Sequence, residues 1–238
     1  MKKLLILGFL TLISLIAVQA QNTPNIPATQ TALTAVVLET AGKVEYKTPG
    51  ADWLPAKVGT FLRKGTIVST GFRSTASIKI GEAIVEVKPV TRLTLEDLVR
   101  TSGGTQTQLF LTSGRVKAEV TPSKTEIVSF KVRSTQATAS VRGTGFEFDG
   151  FNLLGLHGKM DLRNNWGQFR VVNGGEFTYL ATDNSVSIPI AANPENGLGG
   201  LTGLVDQAKL ESDASNLTTK VSEAGVGNST VTFTFMIQ

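Results

Sequence analysis

His157 is the only imidazole among 238 residues, and the chain contains no cysteine. Those two counts exclude a disulfide framework, a thiolate metal site, a cysteine nucleophile and any motif that needs two histidines. A single-histidine triad stays arithmetically open. His157 lies in Gly155-Leu156-His157-Gly158, however, a turn in which a lone surface imidazole is the plainer reading. Asp149, Asp161 and Asp183 are too scattered for a calcium loop. No metal, no cofactor and no catalytic residue is expected. The grouping best suited to a ligand is Val141-Arg142-Gly143-Thr144-Gly145, where the Arg142 guanidinium beside glycine amides could fork onto a carboxylate or phosphate. The competing reading has Arg142 tying down carbonyls or an internal carboxylate while the glycines admit a bend or bulge. No helix follows and no lysine is placed for phosphates, so Gly143-x-Gly145 is not a nucleotide loop. Trp53, Tyr46 and Trp166 could stack on sugar rings, or could simply contribute buried area. Trp53, Arg142 and Trp166 are therefore the binding candidates.

The elements that position these residues read as strands. Ala76, Ile78 and Ile80 alternate with Ser77 and Lys79, and after Gly81-Glu82 the alternation resumes in Ala83, Val85 and Val87 until Pro89, which predicts a hairpin with one wet face. Leu109-Phe110-Leu111, the turn Ser113-Gly114 and Val116, Ala118, Val120 predict another hairpin. Val128, Phe130 and Val132 form an apolar face, and Phe146 with Phe148 flank Glu147 before Asp149-Gly150. Met160 with Leu162, Phe169 with Val171, and Phe177 with Tyr179 continue the series between asparagine and glycine turns. Turn signals every eight to twelve residues without a helical period predict a mainly β protein, an antiparallel β-sandwich or jelly roll.

The two ends have a different character. Met1-Lys2-Lys3, the apolar run Leu4 to Val18 and the small residue Ala20 predict a secretory signal peptide over 1–20, cleaved after Ala20, and thus a periplasmic or secreted protein. The alternative is a retained anchor, for which that run is short of a bilayer's thickness. No later apolar run approaches spanning length. Two of the net +4 charges sit on Lys2 and Lys3, so nothing in the charge points to nucleic acid. Residues 21–33 read as a proline-punctuated linker and 34–182 as the folded domain. The extension 183–238 comprises a breaker-rich connector, a weakly amphipathic C-terminal helix over 202–224 and a final strand over 230–237. Val231, Phe233, Phe235 and Ile237 make one face of that strand apolar, and it must pair with its own sheet or with a partner chain.

The ordered series also resembles a known family. Gly42-Lys43-Val44-Glu45-Tyr46 through Trp53, Val58 to Gly71, Ser74 to Ile80, Pro89 to Leu95, Leu111 to Val116, and above all Phe130-Lys131-Val132 with Val141-Arg142-Gly143-Thr144-Gly145-Phe146, are similar to successive strands of the FecR domain. Gly158 to Leu162 and Gly174-Gly175-Glu176-Phe177 are similar to its closing strands, so the likeness covers about Ala35 to Thr182. The resemblance implies an exported β-sandwich without catalytic activity. Family members that regulate iron uptake carry a cytoplasmic anti-sigma segment and a membrane helix, whereas this sequence opens on the signal peptide, so only the module is expected to transfer.

These readings converge on a non-enzymatic scaffold or interaction protein of the cell envelope, acting on other exported proteins, with a periplasmic filament or flagellar sheath subunit as one form. A glycan or peptidoglycan binder and an envelope signalling regulator of the FecR type are the alternatives. An amino-terminal mass measurement on protein recovered from the envelope should begin at Gln21; one beginning at Met1 would mean a retained anchor.

Overall fold

The computed structural model describes residues 30–200. The expected signal peptide, most of the linker, the helix over 202–224 and the strand over 230–237 lie outside the described residues. Nineteen strands follow one another. The first eight are β1 (Thr31–Ala32), β2 (Ala35–Ala41), β3 (Val44–Lys47), β4 (Leu54–Pro55), β5 (Phe61–Leu62), β6 (Ile67–Thr70), β7 (Thr75–Ile80) and β8 (Ala83–Val87). Next come the two longest, β9 (Arg92–Thr101) and β10 (Gly104–Ser113), followed by β11 (Val116–Val120), β12 (Ile127–Arg133), β13 (Ala137–Val141) and β14 (Gly145–Phe148). β15 (Asn152–His157), β16 (Lys159–Asn164), β17 (Phe169–Asn173), β18 (Glu176–Tyr179) and β19 (Ile190–Ala191) complete them, and a 3-10 turn over Pro194–Asn196 leads into a one-turn helix α1 (Gly197–Gly200). Among the described residues no helix is long and apolar enough to cross a membrane.

The strands form two facing sheets, β17-β16-β13-β12-β10-β9-β6-β3-β4 with β1 on β9, and β19-β18-β15-β14-β11-β8-β7-β2-β5. Apart from the short β1, β4 and β5, the spatial order in each sheet is the order along the chain. The chain lays a strand or hairpin on one sheet, crosses, and lays the next on the other. Where it visits the far sheet with a hairpin, it returns antiparallel, as β16 does to β13 after β14 and β15. Where it visits with β11 alone, it returns parallel, which is why β10 and β12 run the same way. The remaining strand pairs are antiparallel.

Alternation puts one side of each sheet into a common core. Ile78, Val85, Val116, Ala118, Leu93, Leu109, Val132 and Leu162 are wholly or almost wholly buried there, and Phe130 of β12 meets Phe146 of β14 edge to face at 6.2 Å across the two layers. The crossings need another device, because a chain leaving one sheet abandons its ladder partners. Two buried threonines supply it. Thr70 Oγ1 donates to the Lys88 carbonyl at 2.6 Å and accepts from the Thr91 amide at 3.0 Å. Thr91 Oγ1 accepts from the Arg115 amide at 2.9 Å and donates to its carbonyl at 3.1 Å. Gly114 beside them has φ +87, and a Cβ there would lie 2.3 Å from Thr91 Oγ1, so the corner requires glycine.

Three sequence expectations are corrected. Ser113-Gly114 does not close a hairpin; β10 and β11 belong to different sheets, and the turn is a crossing. Phe169 and Val171 do not face the core; they are 46% and 48% exposed, while Val172 between the sheets is fully buried. Alternation defines two faces of β17, and both carry apolar residues, so the pattern alone did not say which is inside. Phe177 is buried, but not in the main core; with Leu154 and Leu198 it forms a small cluster on the outer side of its sheet.

Removing the Phe130 ring should lower unfolding stability by about 3–5 kcal/mol, whereas Val171→Ala should stay within about 0.5 kcal/mol. Chemical denaturation of both variants checks the assigned faces together.

Candidate functional site

Between β12 and β17, the solvent side of the first sheet is hollowed into an open groove of about 630 Å³ lined by residues of β12, β13, β16 and β17 and the turns beyond them. Strand register decides which side chains meet there. Lys131 pairs with Ser140, Ser140 with Asp161 and Asp161 with Val171, so these four form one row across the strands. Val141 pairs with Met160 at the end of β13, and the next residue on each side, Arg142 and Lys159, both line the groove. Arg142, Lys131 and Lys159 are all exposed. Among the described residues none of the three has an ion-pair partner within 4 Å, and neither has Asp161. Like charges near one another repel, and Asp161 is the single carboxylate in the lining against these three cations.

Local geometry fixes Arg142 in this lining. Gly143 has φ +82 and its Cβ position would lie 2.4 Å from Pro122, so the chain turns there only because the residue is glycine. Thr144 is 3% exposed, lines the groove, and its Oγ1 is buried without a hydrogen-bond partner. Such an orphan costs about 1–3 kcal/mol. Gly145 serves the opposite sheet: its bare Cα leaves room for Glu119 and His157 to hydrogen-bond over β14, and the β14–β15 register shifts at this point. His157 is thus exposed but paired, and the glycines do provide both a turn and a bulge.

Two other outward arginines of this sheet have partners. Arg133 holds Glu96 through two contacts, Nε to Oε2 at 2.5 Å and Nη2 to Oε1 at 2.6 Å, and lies 4.8 Å from the centre of the Phe110 ring. Hydrogen bonding from Arg133 keeps the Glu96 carboxyl below its ordinary range, and the same contact raises Arg133. Arg163 lies over Phe169 at 4.6 Å and donates to the Gly167 carbonyl.

The sequence candidates fall at separate places. Arg142 lines the groove. Trp53, 37% exposed, stacks with Arg92 at 5.5 Å beside β4, at the opposite end of the sheet. Trp166, 73% exposed, stands on the turn between β16 and β17. Val231, Phe233, Phe235 and Ile237 lie outside the described residues. Lys131, Lys159 and Thr144 escaped the sequence reading because they approach Arg142 only through strand pairing; alternation marked the lysines as outward, and nothing local linked them.

The family model described as "FecR protein" matches residues 66–153, from the start of β6 into β15. The chain is similar to two crystal structures of a "putative anti-sigma factor" from Parabacteroides distasonis ATCC 8503. They share 14% and 13% identity with it, at TM-scores of 0.46 and 0.47. Each likeness covers 58% of this chain and, respectively, 65% and 64% of the other. No curated protein matches the sequence. Residues 66–153 are thus FecR-like in sequence.

Glu96 carries a pH dependence whose sign follows from its lowered pKa. Its contribution is fully present above the ordinary value of 4.5 and is lost as pH falls through the lower folded value. Arg133 is 44% exposed, so water limits the effect to less than about 1 kcal/mol. In urea titrations from about pH 7 down to about pH 3, Glu96→Gln should remove that part of the acid destabilisation and leave the rest.

Proposed function

We propose that this FecR-like protein is a non-enzymatic scaffold of the cell envelope that joins other exported chains through the two ends of its sandwich, as a filament or sheath subunit does. The carrying observation is the nature of those ends. β17 and β19 are terminal in their sheets at one end, β4 and β5 at the other. Trp166, Phe169, Val171, Ile188 and Ile190 are exposed at the first end, and Trp53, Leu54, Val58 and Phe61 at the second. An unpaired edge offers a row of free amides and carbonyls, and apolar residues beside it supply the desolvation that β-augmentation needs. The ends differ from one another, so pairing end to end is heterologous and propagates instead of closing. The absence of cysteine and the solitary histidine in the sequence fit a role without a reactive centre. In the sequence, the apolar alternation Val231, Phe233, Phe235 and Ile237 fits the same reading.

The test uses two blocked variants of the mature chain, Val171→Lys with Ile188→Lys at one end and Leu54→Lys with Phe61→Lys at the other. Wild type should form concentration-dependent oligomers in sedimentation velocity, each variant should stay monomeric, and their mixture should stop at dimers. Monomeric wild type at all concentrations, or variants that assemble unchanged, would overturn the proposal.

A further inference from the structure

The groove beside Arg142 adjoins one sheet end only through Val171, and three observations about its cationic part converge. Arg142 and Lys159 flank the paired residues Val141 and Met160, Lys131 lines the same groove, and none of the three cations has an ion-pair partner among the described residues. Thr144, in the same lining, has a buried hydroxyl without a partner. Ser129 and Ser140 add hydroxyls to the lining, and Asp161 interrupts the cations with one carboxylate. The geometry points to a binding site for an acidic saccharide, whose carboxylate is held between Arg142 and Lys159.

Each feature selects that chemistry. A carboxylate relieves the repulsion between the two cations, and the Arg142 guanidinium can grip it with two parallel hydrogen bonds. Ring hydroxyls can donate to Asp161 and Thr144 and exchange hydrogen bonds with Ser129 and Ser140. A dense polyanion such as a nucleic acid or polyphosphate would bring its charge against Asp161. A peptide would be read through apolar pockets for its side chains, and Val171 is the one exposed apolar side chain in the lining. Lys131 lies two strands from Lys159, a step of about 10 Å, which places a second cation for a carboxylate further along the same oligosaccharide. Openness to solvent suits a chain that continues past both ends of the groove.

Isothermal titration of the mature protein at low salt would use tetragalacturonate as probe, with cellotetraose as the neutral sugar and tetraglutamate as the acidic peptide. Tetragalacturonate should bind, weaken as salt rises, and lose at least about tenfold in affinity in Arg142→Gln and in Lys159→Gln. Thr144→Val should weaken it several-fold, and Lys117→Gln on the other sheet should leave it unchanged. Arg142 and Lys159 are exposed, so both glutamine variants should keep the wild-type melting temperature; should one not, the other still decides. No binding of tetragalacturonate, equal binding of cellotetraose, equal or tighter binding of tetraglutamate, or full affinity in both glutamine variants would overturn the proposal.

Discussion

A chain that keeps changing sheets must satisfy its backbone at every crossing without help from helices. Thr70 and Thr91 meet that demand: each hydroxyl both donates and accepts, and together they bind the ends of strands in one layer to the ends of strands in the other. A valine would fill the same volume and leave buried amides and carbonyls unpaired, at a cost comparable to a lost core side chain. The hydrophobic core between the layers is extensive, and these corners tie the two layers together beside it. Phe130 against Phe146 then fills the space that the corners define.

The two outer faces of the sandwich are treated differently. On the β14–β15–β18 side the chain returns over the sheet: the Leu198 amide donates to Glu147 at 2.8 Å, Arg115 pairs with the same carboxylate at 3.2 Å, and Leu198 packs on Leu154 and Phe177. A glutamate with a side chain only 6% exposed is stable there because both oxygens have partners. On the β12–β17 side no segment among the described residues lies over the groove, and Lys131, Arg142 and Lys159 form no ion pair there. Arg170 shows the same asymmetry within one strand. Its position in the register puts it with the inward residues of β17, next to Leu162, and its Nε is buried without a partner. A charge turned inward at a sheet edge restrains indiscriminate pairing, so the edge that carries Phe169 and Val171 is guarded as well as exposed.

Much of this was readable from residue order. The inward faces of β7, β8, β11, β12 and β16 follow from alternation with charged neighbours, since Lys79, Glu86, Lys117, Lys131 and Arg163 could only lie outside. β17 was ambiguous because Phe169, Val171 and Val172 supply apolar residues to both faces. Glu147 between two phenylalanines reads as a wet position, and its burial depends on Leu198, fifty residues downstream. Turn chemistry at Ser113-Gly114 announced a reversal but not that the reversal leads to another layer. The groove was half visible: Arg142 and its glycines form a local motif, while Lys131 and Lys159 join it through a register that no single segment encodes. The parallel pair of β10 with β12 was hidden for the same reason.

Matching strand order to chain order also has a meaning for how such a domain can change in length. In a Greek key, an added hairpin must thread between strands that are distant in sequence. Here a duplicated block that supplies a hairpin to each layer would stack onto the block before it and present the same kind of terminus to whatever comes next. Growth by whole blocks therefore leaves existing neighbours undisturbed, and size can drift over generations while the architecture stays the same.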